Sequence, residues 1–461
     1  MRHFPDCARP RLSRRQLLKH GACSAAGVAG LHALWNLGLV SAAAARGTSG
    51  GDYKALVCVF LFGGNDSFNL LVPRDNGHYG PYASARQNLA VPQSQLLSIS
   101  PNSSDGSLYG LHPSCPELQA LFSSGRLALV ANVGSLLYPM TKQQYQNDSV
   151  AKPPQLFSHF DQQFQWMTSL PDSNEGFGWA GRAAELLQSL NGASTLSMNI
   201  TLVGANTWQV GPSVAPFSMG TGGPQGLTGF WGQQGQRRYA AFQQLLERQT
   251  PHILERAFAA TQQRAIETNA LLESALDGAQ PLATIFPDSY LGAQLAMIAR
   301  TIAIRETLGV RRQVYFCGIG GFDSHDNQNE DQPGLFADLS ASLNAFSAAM
   351  TELGTQDMVT TFTASDFGRT LTSNGDGSDH GWGGVQLVLG GAVRGQDVYG
   401  VFPSLALQGP DEVGGGRILP TTSVDEYGAT LAKWLGVLPG DMATVFPHLD
   451  RFAHPDLGFM L

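Results

Sequence analysis

The chain has 461 residues, of which 43% are hydrophobic, and its 28 basic and 36 acidic side chains give a formal net charge of −8. That is enough apolar material for one large domain with insertions, or for two domains. A chain this acidic does not bind nucleic acid or an anionic membrane through bulk charge.

The N-terminus carries an export signal. Ser13-Arg14-Arg15-Gln16-Leu17-Leu18-Lys19 matches the twin-arginine pattern. The weakly apolar stretch that follows, residues 21–40, contains His32, Asn36 and several glycines, so it makes a poor membrane anchor. Small residues Ala42 to Ala45 then offer an A-x-A cleavage site. Residues 1–45 are therefore expected to be a signal peptide, with the twin-arginine translocase as a transient partner. The alternative is a signal-like transmembrane helix that is never cut. Cleavage leaves a mature chain, 46–461, in the periplasm or outside the cell. It holds 22 basic and 35 acidic residues, a net charge of −13, because the leader takes six basic residues and one acid with it. Cys58, Cys115 and Cys317 remain, too few and too apolar in setting for a disulfide framework, and buried thiols are expected.

In chain order, residues 54–62 (KALVCVFLF) form a continuous apolar run closed by Gly63-Gly64, the signature of a central parallel strand. Residues 116–122 read as a helix, 126–133 as a strand, 179–190 as a helix and 195–203 as a strand. Residues 204–235, rich in Gly, Pro, Ser and Thr, read as loop. Residues 237–276, an amphipathic stretch with one proline, Pro251, predict a helical pair, part of a cap or insertion over about 233–290. A strong helix follows at 290–308, a core strand at 313–319, a helix at 335–353, a third core strand at 358–364, a short strand at 385–389 and a late helix at 424–435. This alternation predicts an α/β fold, a mostly parallel sheet with helices on both faces. Active sites in such sheets lie outside the carboxyl ends of the strands.

The chemistry-bearing residues cluster at those ends. Asp66 lies in FLFGGNDSF, Asp323 and His325 in GGFDSH, Asp366 in TASDFGR, and Asp379 and His380 in GSDHGWGG. Aspartate and histidine bind hard or borderline divalent metals. In an extended segment Asp323 and His325 point to the same side, because the strand period is two. Each residue also has a plainer reading: Asp66 and Asp366 as helix N-caps, Asp323 as a cap beside an exposed histidine, and His380 as part of a surface turn. Their recurrence at one end of one sheet favours a metal centre. The metal is expected to be zinc, manganese or calcium, acting as a Lewis acid. Ser158, at the start of a helix-like run, is the candidate nucleophile, or else an ordinary N-cap. Arg369 is the candidate oxyanion clamp, or else a salt-bridge partner.

The motifs FGGND, LHP, SHFDQQFQW, GWAGR, GGFDSH, SDFGRTLTSNG, SDHGWGG and GGAVRG resemble those of the exported bacterial family called domain of unknown function fifteen-oh-one, over residues 54–438. That family is similar to the alkaline phosphatase and sulfatase superfamily. The resemblance implies an alkaline-phosphatase-like core. It also implies that Asp66 is the first metal ligand, Ser158 the nucleophile, Asp323 with His325 an Asp…His ligand pair, Asp366 the Asp of an Asp-His pair, and His380 the final His. Two departures stand out. Phe367 occupies the place of the expected His, and the spacing of Asp323 to His325 is short, so one well-held metal is expected, with Asp66 and Asp366 holding a second, weaker one or orienting the nucleophile. No C-x-P-x-R motif surrounds Cys115-Pro116-Glu117, which speaks against a sulfatase with a modified cysteine.

The expected function is an exported metal-dependent hydrolase of phosphate or sulfate esters, acting on a small-molecule or polymer substrate. The alternative is a catalytically degenerate member that binds an extracellular ligand or supports assembly.

Overall fold

The computed structural model describes residues 53–103 and 106–461. The expected signal peptide lies outside the described residues, and none of the described helices is long and apolar enough to cross a membrane.

The described residues form fourteen strands. They are β1 (Lys54–Leu61), β2 (Leu71–Pro73), β3 (Leu97–Ile99), β4 (Tyr109–Leu111), β5 (Leu127–Gly134), β6 (Asn199–Thr201) and β7 (Phe217–Ser218). The second half of the chain adds β8 (Arg312–Ile319), β9 (Val359–Ser365), β10 (Arg369–Ser373), β11 (Ser378–His380), β12 (Gly384–Leu389), β13 (Asp397–Tyr399) and β14 (Thr422–Ser423). Nine of them make the central sheet, in the order β13-β5-β12-β9-β1-β8-β6-β7, with β14 also on β5. β2, β4 and β3 form a small antiparallel sheet, and β10 pairs with β11 as a hairpin.

The mostly parallel sheet expected from the alternating elements is present. β1 runs parallel to both β8 and β9, in register from Ala55 opposite Gln313 and Val359 to Leu61 opposite Ile319 and Ser365. Only β12 runs against its neighbours β5 and β9. The connection from β9 to β12 contains the β10–β11 hairpin and no helix, so the chain turns back at the carboxyl end of β9 and re-enters the sheet reversed.

Period-two alternation splits the central strands between two cores. Ala55, Val57, Val59 and Leu61 join Tyr315, Cys317 and Ile319 in a cluster with Leu295 and Ile298 of the helix Tyr290–Ala303, and with Phe336, Leu339 and Phe346 of the helix Gln328–Glu352. The opposite face is aromatic. Trp208 packs 5.8 Å from Phe316, Trp179 5.9 Å from Phe362, and Phe362 5.8 Å from Tyr427, which lies on the helix Val424–Leu435. Each fully buried Val, Leu or Phe contributes roughly 1.5–3 kcal/mol, so these two layers hold the strand ends rigidly. Cys58, Cys115 and Cys317 are buried and unpaired, as the residue pattern predicts.

Helices Gly232–Glu247 and Ile253–Asp277 fill the amphipathic stretch on either side of Pro251. The helix expected from Leu335 starts earlier, at Gln328, and accommodates Pro333. Buried Gln328 and Gln332 anchor that early start, donating to the Asp66 side chain at 2.5 Å and to the Asp66 carbonyl at 3.3 Å.

Candidate metal centre

The site forms where three adjacent parallel strands end. β9 stops at Ser365, β1 at Leu61 and β8 at Ile319, and the next few residues of each carry Asp366, Gly63 to Asp66, and Asp323 to His325. Close approach of these loops depends on two glycines. Gly63 has φ +115°, and a β-carbon there would lie 2.3 Å from the Asp323 nitrogen. Gly64 has φ +89°, and its β-carbon would lie 2.4 Å from the Phe367 ring. Any other residue would be strained in conformation and would push the loops apart.

Three imidazoles converge on Asp323. Nε2 of His159 lies 3.4 Å from Asp323 Oδ2. Nε2 of His380 lies 3.4 Å, and Nε2 of His325 3.0 Å, from Asp323 Oδ1. The Nε2 atoms of His325 and His380 are 2.9 Å apart. Each ring is anchored through its other nitrogen. His380 Nδ1 donates to the Phe157 carbonyl at 2.7 Å, His159 Nδ1 faces Asp366 Oδ2 at 2.6 Å, and His325 Nδ1 faces Asp379 Oδ1 at 3.2 Å. Carbonyls and carboxylates only accept, so these partners assign the proton of each neutral ring to Nδ1. The three Nε2 lone pairs are then left facing one another and the Asp323 carboxylate.

Lone pairs at such separations repel unless a proton or a cation sits among them. Imidazoles whose distal nitrogens are held by acceptors, beside one carboxylate, are a donor set suited to a divalent metal. His159, Asp323 and His380 can each present a ligand atom within 4.8 Å of the others. The residues therefore fit the metal that the sequence leads one to expect.

Electrostatics keep the donors in ligating form. Partial burial works against ionisation of Asp323, but the hydrogen bond and charge of Arg369 outweigh it and hold the carboxyl below its usual range. For Asp379, too, burial opposes ionisation, but hydrogen bonds from Asn374 and His325 prevail and lower it. Burial lowers the pKa of His380, favouring the neutral ring that a metal needs.

The predicted residues fall into separate roles. Asp323, His325 and His380 come together. Asp366 does not point its carboxylate at the same spot. Fully buried, it accepts from His159 Nδ1, from Gln163 Nε2 at 2.9 Å and from the Gly63 nitrogen at 3.3 Å, so it orients His159. Asp66 is a correction: it is buried in an ion pair with Arg86 and also bonds Gln328. The guanidinium supplies the positive charge a metal would have brought. Of its two expected readings, Arg369 takes that of salt-bridge partner rather than oxyanion clamp. Its fully buried guanidinium donates to Asp323 at 2.6 Å, to the Gly63 carbonyl at 3.1 Å and to the Ser378 carbonyl, so its donors are spent inside the protein. Ser158 is the N-cap of the helix His159–Thr168, and its hydroxyl lies 2.5 Å from Asp161 Oδ2.

The residue that sequence reasoning misses is the neighbour of Ser158. His159 occupies the first position of that helix, where it reaches both Asp366 and Asp323. The available signal was a histidine directly after a capping serine. Phe367, in the place of the expected His, packs its ring 4.8 Å from His159 and 4.7 Å from His380.

None of the curated proteins matches this chain. Among solved structures it is similar to Ps i-CgsB in complex with k-i-k-neocarrahexaose, at 9% identity and a TM-score of 0.34, covering 88% of this chain and 78% of that one. A likeness to the PsFucS1 sulfatase from Pseudoalteromonas sp. has 12% identity, a TM-score of 0.33 and coverage of 89% and 75%. The soluble domain of lipooligosaccharide phosphoethanolamine transferase A from Neisseria meningitidis is 9% identical, with a TM-score of 0.32 and coverage of 87% and 94%. Likenesses this distant transfer no residue roles. The family model for Protein of unknown function (DUF1501) matches residues 53–413, and the chain belongs to that family.

Proposed function

We propose that the protein is an exported, metal-dependent hydrolase of phosphate or sulfate esters, with a small molecule or a polymer as substrate. The observation that carries this reading is the set of three imidazoles, each anchored at Nδ1 and each turned by Nε2 toward Asp323. His159, Asp323, His325 and His380 would hold one divalent cation. An imidazole-rich set favours zinc over manganese and calcium, which prefer oxygen ligands. Such a cation supplies Lewis acidity, which stabilises charge on an ester oxygen and makes water nucleophilic near neutral pH.

The chain's own residues prepare this chemistry. Arg369 keeps Asp323 ionised and in place, and Asp366 sets the tautomer and direction of His159. His325 is the most solvent-facing imidazole, with 41% of its side chain exposed against 31% for His159 and 24% for His380, so it is the donor best placed to give way to a substrate. The Ser158 hydroxyl is tied to Asp161, which favours water over Ser158 as the nucleophile. The leader at Ser13 to Lys19 supports delivery by the twin-arginine route to the periplasm or beyond.

The test is elemental mass spectrometry of protein purified without chelator, followed by a panel of phosphate and sulfate monoesters before and after chelation. About one bound metal per chain and chelator-sensitive turnover are expected. A chain that takes up no metal on titration rules the hydrolase out. The Phe367 ring, packed against both His159 and His380 in the place of the expected His, favours a second reading, a degenerate binding or assembly protein; metal uptake with no ester turned over would select it.

A further inference from the structure

The hydrolase reading lacks a residue to hold the ester's anionic oxygens, because Arg369 is spent inside the protein. A second arginine stands against the backbone of His380 and the ring of Phe157. Nε of Arg417 donates to the His380 carbonyl at 3.2 Å. Its guanidinium carbon lies 4.4 Å from the ring centre of Phe157, whose carbonyl anchors His380 Nδ1. Stacking on a ring fixes the plane of a guanidinium without using its N–H groups.

Those N–H groups are largely uncommitted. Nη1 makes one long contact, 3.4 Å to the Gly414 carbonyl, and among the described residues Nη2 has no acceptor and no carboxylate forms an ion pair with Arg417. The acids nearest in sequence are engaged elsewhere. Glu412 accepts from the nitrogens of Gly414 at 2.7 Å, Gly416 at 2.8 Å and Gln408 at 3.1 Å. Asp411 accepts from the Ser404 nitrogen at 2.8 Å. Arg417 is half-buried, and it is held against the backbone of His380, whose ring faces Asp323.

We infer that Arg417 is the anion-binding residue of this site and holds the non-bridging oxygens of a phosphate or sulfate monoester. The inference rests on the reading above and narrows it to substrates with a terminal charged group. A planar fork of donors matches the oxygens of such a group bidentately.

The experiment is calorimetric titration of inorganic phosphate and of inorganic sulfate into wild type, Arg417→Ala and Arg417→Lys, each in chelator-treated and zinc-loaded form. Wild type is expected to bind one of the two anions, and Arg417→Ala to bind it roughly 10- to 100-fold more weakly, the loss typical of a charged hydrogen-bonded contact. Arg417→Lys is expected to fall between them, and zinc uptake to be unchanged in both variants. Equal affinity in Arg417→Ala and wild type, or no anion bound by folded wild type in either form, overturns the inference. A wild-type chain that takes up no zinc removes the hydrolase reading alone. The chelator-treated titrations still decide Arg417, and Arg417→Lys decides it if the alanine variant does not fold.

Discussion

Asp366 Oδ2 stands 2.6 Å from Nδ1 of His159, and the far nitrogen of the same ring faces Asp323 at 3.4 Å. The buried carboxylate thus behaves as the outer support of a ligand. Outer partners of metal-binding histidines typically govern metal affinity by 10- to 100-fold. Asp366→Asn preserves size and leaves a weaker acceptor. It is expected to lower zinc affinity by roughly that factor, as read by competition with a chromophoric chelator, while circular dichroism stays unchanged. Wild-type affinity in this variant would remove Asp366 from the site.

Gly63 is the hinge between the ends of β1 and β8. With φ at +115° and a β-carbon placed 2.3 Å from the Asp323 nitrogen, alanine must move the Asp323 loop. Left-handed backbone costs about 1–2 kcal/mol for a residue with a side chain, and overpacking typically adds about 1–3 kcal/mol. Gly63→Ala is expected to lower the urea midpoint accordingly and to weaken metal uptake at the same time. A control at Gly80, where a β-carbon meets no atom within 4 Å, should retain both properties.

Much of the frame was legible because its signals are local. Residues 54–61 and 312–319 lie in long, largely apolar runs, and both are buried throughout or nearly so in adjacent parallel strands. The direction of β12 was not legible, since its apolar residues pair equally well either way and only the path of the β10–β11 hairpin decides. Side-chain allegiance was harder still. Asp66 and Arg86 are 20 positions apart and carry no shared motif, yet their pairing takes Asp66 out of the ligand set. Asp323 and Arg369, 46 positions apart, show the same limit, because a clamp and a support read alike in sequence. His159 escaped notice because a helix start suggests a nucleophilic hydroxyl, and its partners come from two distant loops.

The imidazoles are not equivalent. His159, Asp323 and His380 form the compact group, with His325 added from the solvent side, 2.9 Å from His380. His159→Ala is expected to abolish stoichiometric zinc uptake, since its ring also holds the Asp366 hydrogen bond. His325→Ala is expected to retain zinc with reduced affinity and to lose ester turnover. Measuring zinc per chain after gel filtration, together with turnover of the best ester from the panel, separates the two. Reversal of this order would mean that His325, not His159, completes the primary ligand set.

A last expectation concerns pH and lies away from the metal. Asp425 is 1% exposed, and burial pushes its carboxyl up from 3.8 to about 7 despite the nearby Arg182 charge. The unfolded chain ionises this group near its ordinary value, whereas the folded chain keeps the proton until about pH 7. Between those values the folded state binds more protons, so this group's contribution to stability falls as pH rises and levels off above about 7. A rise from 3.8 to about 7 corresponds to about 4 kcal/mol. His112 works in the opposite sense: burial lowers it to about 4, so its contribution rises with pH up to the ordinary histidine range. The wild-type curve therefore partly cancels, and the informative quantity is a difference. Asp425→Asn removes the titration and keeps a polar side chain of the same size. Its stability relative to wild type, from urea unfolding at a series of pH values, is expected to grow steadily from about pH 4 to about pH 7 and then hold constant. A flat difference across that range would show that the buried carboxyl ionises at its ordinary pH.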